Sequence, residues 1–192
     1  YLAEHPVEAA GILTAAKIIS VPWDVEKGTI SIEKPGLNRM LTRHLCGSLC
    51  RTVEKYDILF KDEYAWKKEK VMQSRTIREF DSHFTSIHFG FESVDNYYAK
   101  ATLHNKLHKI KVPTLCLSAA DDPFQPLDAI PIEAAEKSSH VAIVVTARGG
   151  HIGFLDGIWP GHKDQYMSRI FGQYFSAVLF DKEDEFAGTT KT

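Results

Sequence analysis

Three short apolar runs rich in β-branched residues mark this chain, each ending at turn chemistry, and they predict strands. The first covers residues 11–20, Gly11-Ile12-Leu13-Thr14-Ala15-Ala16-Lys17-Ile18-Ile19-Ser20, and stops before Pro22. Its uniform apolarity predicts an interior parallel strand covered on both faces. The second, residues 112–118, runs into Asp121-Asp122-Pro123, with a helix predicted over 132–137. The third, residues 141–146, runs into Arg148-Gly149-Gly150-His151, with a helix predicted over 166–179. Strand, turn and helix recurring in that order predict an α/β fold with a parallel sheet. Ahead of the first run, Tyr1-Leu2-Ala3-Glu4-His5-Pro6 reads as the tail of a helix stopped by proline, in a protein that begins further upstream.

Between the first and second strands, residues 23–111 carry Leu, Phe and Tyr at helical rather than alternating spacing. No ordinary loop is that long. The stretch is predicted as a helical cap insertion lying over the carboxyl ends of the strands, with Phe60, Tyr64, Trp66, Phe80, Phe84, Phe89, Phe91, Tyr97 and Tyr98 as its aromatic content.

Charge narrows the function classes. The 192 residues hold 23 basic and 25 acidic side chains with no basic stripe, which argues against a nucleic-acid partner. Cys46, Cys50 and Cys116 have neither disulfide-framework nor zinc spacing and read as reduced core residues. No run approaches the ~18 apolar residues that span a bilayer, so any membrane anchor is expected upstream. Residues 181–185, Asp-Lys-Glu-Asp-Glu, read as a solvated charge run before a frayed tail.

In open α/β sheets ligands gather outside the carboxyl ends of the strands, which makes Asp121, Asp122 and His151 the first candidates for chemistry. Ends of neighbouring parallel strands lie close together, so an acid after one can meet a histidine after the next. The imidazole would act as general base and acid, and the carboxylate would fix its tautomer and steady the imidazolium. Acid before histidine is also the chain order of α/β hydrolases, whose serine precedes both. An Asp-Asp-Pro turn or a Gly-Gly-His loop carries little meaning by itself. Together, in this order on successive strand ends, they point to two members of a triad.

Several ordered motifs then carry a family resemblance over nearly the whole chain. They are Ser74-Arg75-Thr76-Ile77-Arg78-Glu79-Phe80-Asp81 with Phe84-Thr85, Tyr97-Tyr98, Ala120-Asp121-Asp122-Pro123-Phe124, and Gly149-Gly150-His151-Ile152-Gly153-Phe154. The chain resembles the fourth abhydrolase family of the AB hydrolase superfamily, which includes mammalian phospholipase-like abhydrolases and fungal medium-chain ester synthase-hydrolases. The resemblance implies the C-terminal part of an α/β-hydrolase fold, a serine nucleophile, no metal or organic cofactor, and ester or lipid substrates with medium-length acyl chains. It also implies membrane association through an N-terminal anchor, with a cytoplasmic location otherwise. The acid turn of such enzymes places a proline four residues after the acid. Pro126 stands so to Asp122, which gives Asp122 the charge-relay role and leaves Asp121 as a turn or capping residue.

The chain departs from the family in lacking a Gly-x-Ser-x-Gly elbow. Gly47-Ser48 has no glycine two residues before its serine and falls in the insertion. The nucleophile and part of the oxyanion hole are therefore expected upstream of Tyr1, and residues 1–192 alone are expected to be inactive and to fold poorly. The rival expectation is a non-catalytic truncated form or pseudo-hydrolase that binds lipid or protein.

Other residues read as structural. His104 and His108 share the spacing of zinc-binding helices, but Asn105 stands where a general-base glutamate belongs. Arg75 and Arg78 are expected to pair with neighbouring acids such as Glu79 and Asp81. Phe124, Phe154 and Trp159 are expected either to line an acyl pocket or to sit in the core.

Overall fold

The computed structural model describes residues 1–60, 65–156 and 165–187, with residues 181–187 described as backbone only. Tyr64 and Trp159 lie outside the described residues, as does the tail from 188 onward. Along the chain run α1 (Pro6–Ile12), β1 (Ala16–Ile19), α2 (Val25–Ile32), α3 (Leu37–Lys55), α4 (Lys68–Gln73) and α5 (Ile77–Phe80). A π-helical stretch over Asp81–Thr85 follows, then α6 (Ser86–His88), α7 (Val94–Ala101), β2 (Thr114–Ala119), α8 (Ile132–Glu136), β3 (Val141–Thr146) and α9 (Tyr166–Ala187). The described residues divide into two compact units, one formed by 1–23 with the chain from 103 onward, the other by 24–102.

The first unit holds a parallel three-stranded sheet in the order β1-β2-β3, with Ile19 opposite Leu117 and Ala119 opposite Thr146. The parallel order is what the pattern of apolar runs predicts, and the sheet is part of an α/β-hydrolase fold, as the family resemblance implies. β2 is buried along its whole length and splits its side chains between two apolar layers. Leu115, Leu117 and Ala119 meet Phe154, Phe171 and the inner face of α9. On the opposite face Cys116 packs with Val21, Trp23, Leu107, Ile130 and Val141, backed by Ala134 and Ala135 of α8. Coverage on both faces is what a parallel sheet requires and explains the near-continuous apolar runs. The ammonium of Lys17 on β1 lies 4.2 Å from the Phe171 ring centroid, a cation–π contact that ties α9 to the sheet.

The start of the chain differs from the sequence reading. Pro6 opens α1 rather than ending a helix, because proline at the first helical position gives up only an N–H that would have no partner. Gly11 and Ile12 belong to that helix, and the strand shrinks to Ala16–Ile19. β1 pairs in parallel with β2. Gly11 and Ile12 owe their apolarity to the helix, Leu13 to Ala15 connect it to the strand, and a short apolar run cannot distinguish these states.

The second unit is helical. Trp23 and the 103–111 segment, read from sequence as part of the insertion, pack with the sheet: Leu103, Leu107 and Ile110 join the layer around Cys116. Within the unit Cys46, Cys50, Val53, Trp66, Val71 and Phe80 form the core, with Phe60 and Phe84 against it. Trp66 and Phe84 meet edge to face at 4.9 Å between centroids. These aromatics are consumed in holding the insertion together, so their number in the sequence reflects its own small core.

The Ser-Arg-Thr-Ile-Arg-Glu-Phe-Asp motif supplies the local order of this unit. The Thr76 hydroxyl accepts the Glu79 N–H at the start of α5, and Glu79 accepts the Arg75 backbone N–H at 2.7 Å. Arg78 pairs with Glu26 and Asp95, not with the acids beside it in sequence, because the fold brings α2 and α7 to its guanidinium. Asp81 accepts hydroxyl bonds from Thr85 at 2.7 Å and Tyr98 at 2.9 Å. Burial raises the Asp81 pKa while both bonds oppose the rise.

Candidate active site

The parallel ladder brings the carboxyl ends of the strands to one edge of the first unit. Beyond β1 the ladder continues to Ser20, whose N–H donates to the Leu117 carbonyl at 2.9 Å, and beyond β2 to Ala120, whose N–H donates to Thr146 at 2.8 Å. Asp121 and Asp122 follow immediately, on a turn where the Asp122 N–H returns to the Ala119 carbonyl at 3.3 Å. His151 follows β3.

The two aspartates point to different partners. The Asp122 side chain is 2 % exposed, and its Oδ2 receives His151 Nδ1 at 2.9 Å. Its Oδ1 receives the Phe124 N–H at 2.8 Å, so both oxygens are fixed. With Nδ1–H given to the carboxylate, the lone pair of Nε2 is available on the far side of a ring that is 38 % exposed. Phe124 lies over that ring at 4.5 Å between centroids, limiting its rotation. Asp121 instead accepts the N–H groups of Gly149 at 2.9 Å and Gly150 at 2.8 Å, both on Oδ1.

The loop bearing His151 is folded on itself. Gly153 and Phe154 donate their N–H groups to the Gly149 carbonyl at 3.0 and 3.1 Å. Phe154, with a left-handed φ of 44°, turns its ring into the core beneath the loop, where it is 3 % exposed. Phe154 is thus a core residue and not the wall of an open pocket. Only glycine fits at 149, since a Cβ there would stand 2.7 Å from the Phe154 ring and 3.0 Å from Ala119 Cβ. Gly150 sits at φ 57°, a conformation that costs other residues roughly 1–2 kcal/mol.

One participant was missed in the sequence. Ser20 is buried, has a left-handed φ of 50°, and donates its hydroxyl to the His151 carbonyl. The available signal was a polar residue closing an apolar strand two residues before Pro22, at a carboxyl end like those that carry Asp122 and His151.

The remaining candidates stay apart from this cluster. His104 and His108 line an open groove of the first unit with Ile130, Glu133 and Lys137. Among the described residues no group of His, Cys, Asp and Glu could hold a metal ion. Burial pushes the thiols of Cys46 and Cys116 up to about 12, which keeps both protonated at neutral pH and unfit as nucleophiles.

No protein-family model matches the chain. The chain is 42 % identical over 168 residues to phospholipase ABHD3 of Mus musculus, covering 87 % of this chain and 40 % of that protein. It is 29 % identical over 175 residues to an abhydrolase domain-containing protein of Dictyostelium discoideum, covering 91 % and 43 %. It is 31 % identical over 121 residues to the monoacylglycerol lipase of Saccharomyces cerevisiae, covering 63 % and 26 %. The chain therefore spans less than half the length of each of these curated relatives.

Proposed function

Because the chain belongs to the AB hydrolase superfamily, we propose that it supplies the acid and the histidine of a serine hydrolase acting on carboxylic esters of lipids. The observation that carries this reading is the 2.9 Å hydrogen bond between buried Asp122 and His151 at the ends of adjacent parallel strands. In this reading the nucleophilic serine lies upstream of Tyr1. Its Oγ attacks the acyl carbonyl while His151 Nε2 takes the hydroxyl proton. The tetrahedral intermediate collapses, the C–O bond to the alcohol breaks, and His151 returns the proton to the departing oxygen. Water then attacks the acyl carbonyl as His151 takes its proton; the bond between the acyl carbon and Oγ breaks, His151 returns the proton to the serine, and the carboxylic acid leaves. Asp122 steadies the imidazolium present in each transition state, and the Phe124 N–H keeps the carboxylate from turning away. The chemistry needs no metal or organic cofactor.

Ester and lipid substrates are favoured by the relatives, among them a phospholipase and a monoacylglycerol lipase. The family resemblance adds medium-length acyl chains and membrane attachment through a segment outside residues 1–192. Among the described residues no helix is long and apolar enough to cross a bilayer.

A nitrophenyl-ester series from acetyl to octanoyl, run on the full-length protein, tests the substrate class. Each methylene buried in an acyl pocket adds about 0.8 kcal/mol, so kcat/KM should climb about threefold to fourfold per carbon until the pocket is full. A flat series would remove the acyl pocket from the account, and no turnover of any member would remove the esterase reading.

A further inference from the structure

We infer that Asp121 is a positioning residue whose carboxylate fixes the backbone beside His151, a role that rests on the proposed hydrolase chemistry and extends it. Adjacent acids usually invite the reading that either could serve the histidine. Here the geometry separates them. Asp122 is buried and faces the imidazole, whereas Asp121 is exposed at the turn and makes its bonds to peptide groups. Its Oδ1 sits between the successive N–H groups of Gly149 and Gly150, which converge because Gly150 takes a left-handed φ of 57°. Successive amides turned inward in this way form a concave site for an anion, occupied here by the protein's own carboxylate.

The peptide that follows Gly150 leads directly into His151. On its other side, the His151 carbonyl accepts the Ser20 hydroxyl at the end of β1. The backbone is therefore held from β2 before the histidine and from β1 after it. An imidazole must face both its acid and a serine that comes from elsewhere in the protein, so a small tilt of its backbone displaces Nε2 by a larger amount. Phe154, three residues further on, is a further buried anchor of the loop.

Both amide bonds fall on a single oxygen, and this separates positioning from charge relay. An asparagine at 121 keeps an Oδ1 acceptor in the same place, while an alanine leaves two amides without a partner. A charge-relay acid behaves differently, since its amide analogue presents N–H to the imidazole and enforces the wrong tautomer.

The test compares Asp121→Ala, Asp121→Asn and Asp122→Asn in the full-length protein on one nitrophenyl ester, with kcat and KM read separately and thermal melting recorded. Asp121→Ala should lower kcat about 10-fold to 100-fold, the scale of a catalytic group displaced by up to 1 Å, with KM nearly unchanged. Asp121→Asn should recover kcat to within about threefold of wild type, the remaining loss reflecting a neutral acceptor in place of a charged one. Asp122→Asn should show no such recovery. Wild-type kcat in Asp121→Ala would overturn the inference, as would an Asp121→Asn variant as slow as the alanine. Should the alanine variant melt early, the asparagine arm decides alone. Full turnover by Asp122→Asn would instead sink the triad reading, whatever the Asp121 variants did.

Discussion

Full-length protein carrying His151→Ala is expected to lose esterase turnover by about 10⁴-fold, with Asp122→Asn close behind. Two features of the site set that scale. The Nδ1 of His151 is already committed to a buried carboxylate, which leaves Nε2 as the base, and without it a serine hydroxyl stays protonated at neutral pH. In Asp122→Asn the side chain keeps its size, but its amide donates toward Nδ1 and pushes the proton to Nε2, where it blocks proton uptake. Because the hydrogen bond from the Phe124 N–H survives in the amide, the turn itself should persist. Turnover on a nitrophenyl ester, with melting temperature as the control for folding, checks both variants. Activity within tenfold of wild type in either would remove that residue from the proposed machinery.

Leu117→Ala should have the largest effect on stability, destabilising the sheet unit by about 2–5 kcal/mol. Leu117 is fully buried at the centre of the middle strand, between Leu115 and Ala119, where its side chain faces Phe171 of α9. Removing three carbons from that layer leaves a void that β2, bonded on both edges, cannot collapse to fill. A loss of this size is a large share of the roughly 5–15 kcal/mol that holds a typical domain together. Urea melts of the full-length protein would read it directly. The exposed Leu127→Ala, 52 % exposed, serves as the comparison and should shift the midpoint very little. Equal shifts for the two would contradict the two-layer packing described for β2.

Much of this was legible in the residues because the sheet is parallel and covered on both faces. Strands of that kind are apolar throughout, so β2 and β3 stood out as runs, and the turn residues after them fell where the chemistry collects. The pairing of Asp122 with His151 follows from strand adjacency, which the order of elements already implied. Other features depend on long-range geometry that no local pattern encodes. Gly11 and Ile12 continue the apolar run of β1 yet close α1, and the run itself does not mark where helix gives way to strand. Arg78 finds Glu26 and Asp95 across the helical unit, 52 and 17 residues away, instead of its sequence neighbours. Ser20 acquires its place beside His151 across a sequence separation of 131 residues. Phe154 could be assigned to the core only once the left-handed backbone turned it inward.

The central claim is that residues 1–192 contribute an acid and a base to a nucleophile that lies outside them. Fluorophosphonate labelling followed by peptide mapping tests this most directly, because the probe bonds to a serine whose hydroxyl is activated by an adjacent base. In the full-length protein the label should fall on one serine upstream of Tyr1, should vanish in His151→Ala, and should be absent from residues 1–192 expressed alone. A label within 1–192, above all on Ser20 beside His151, would contradict the account.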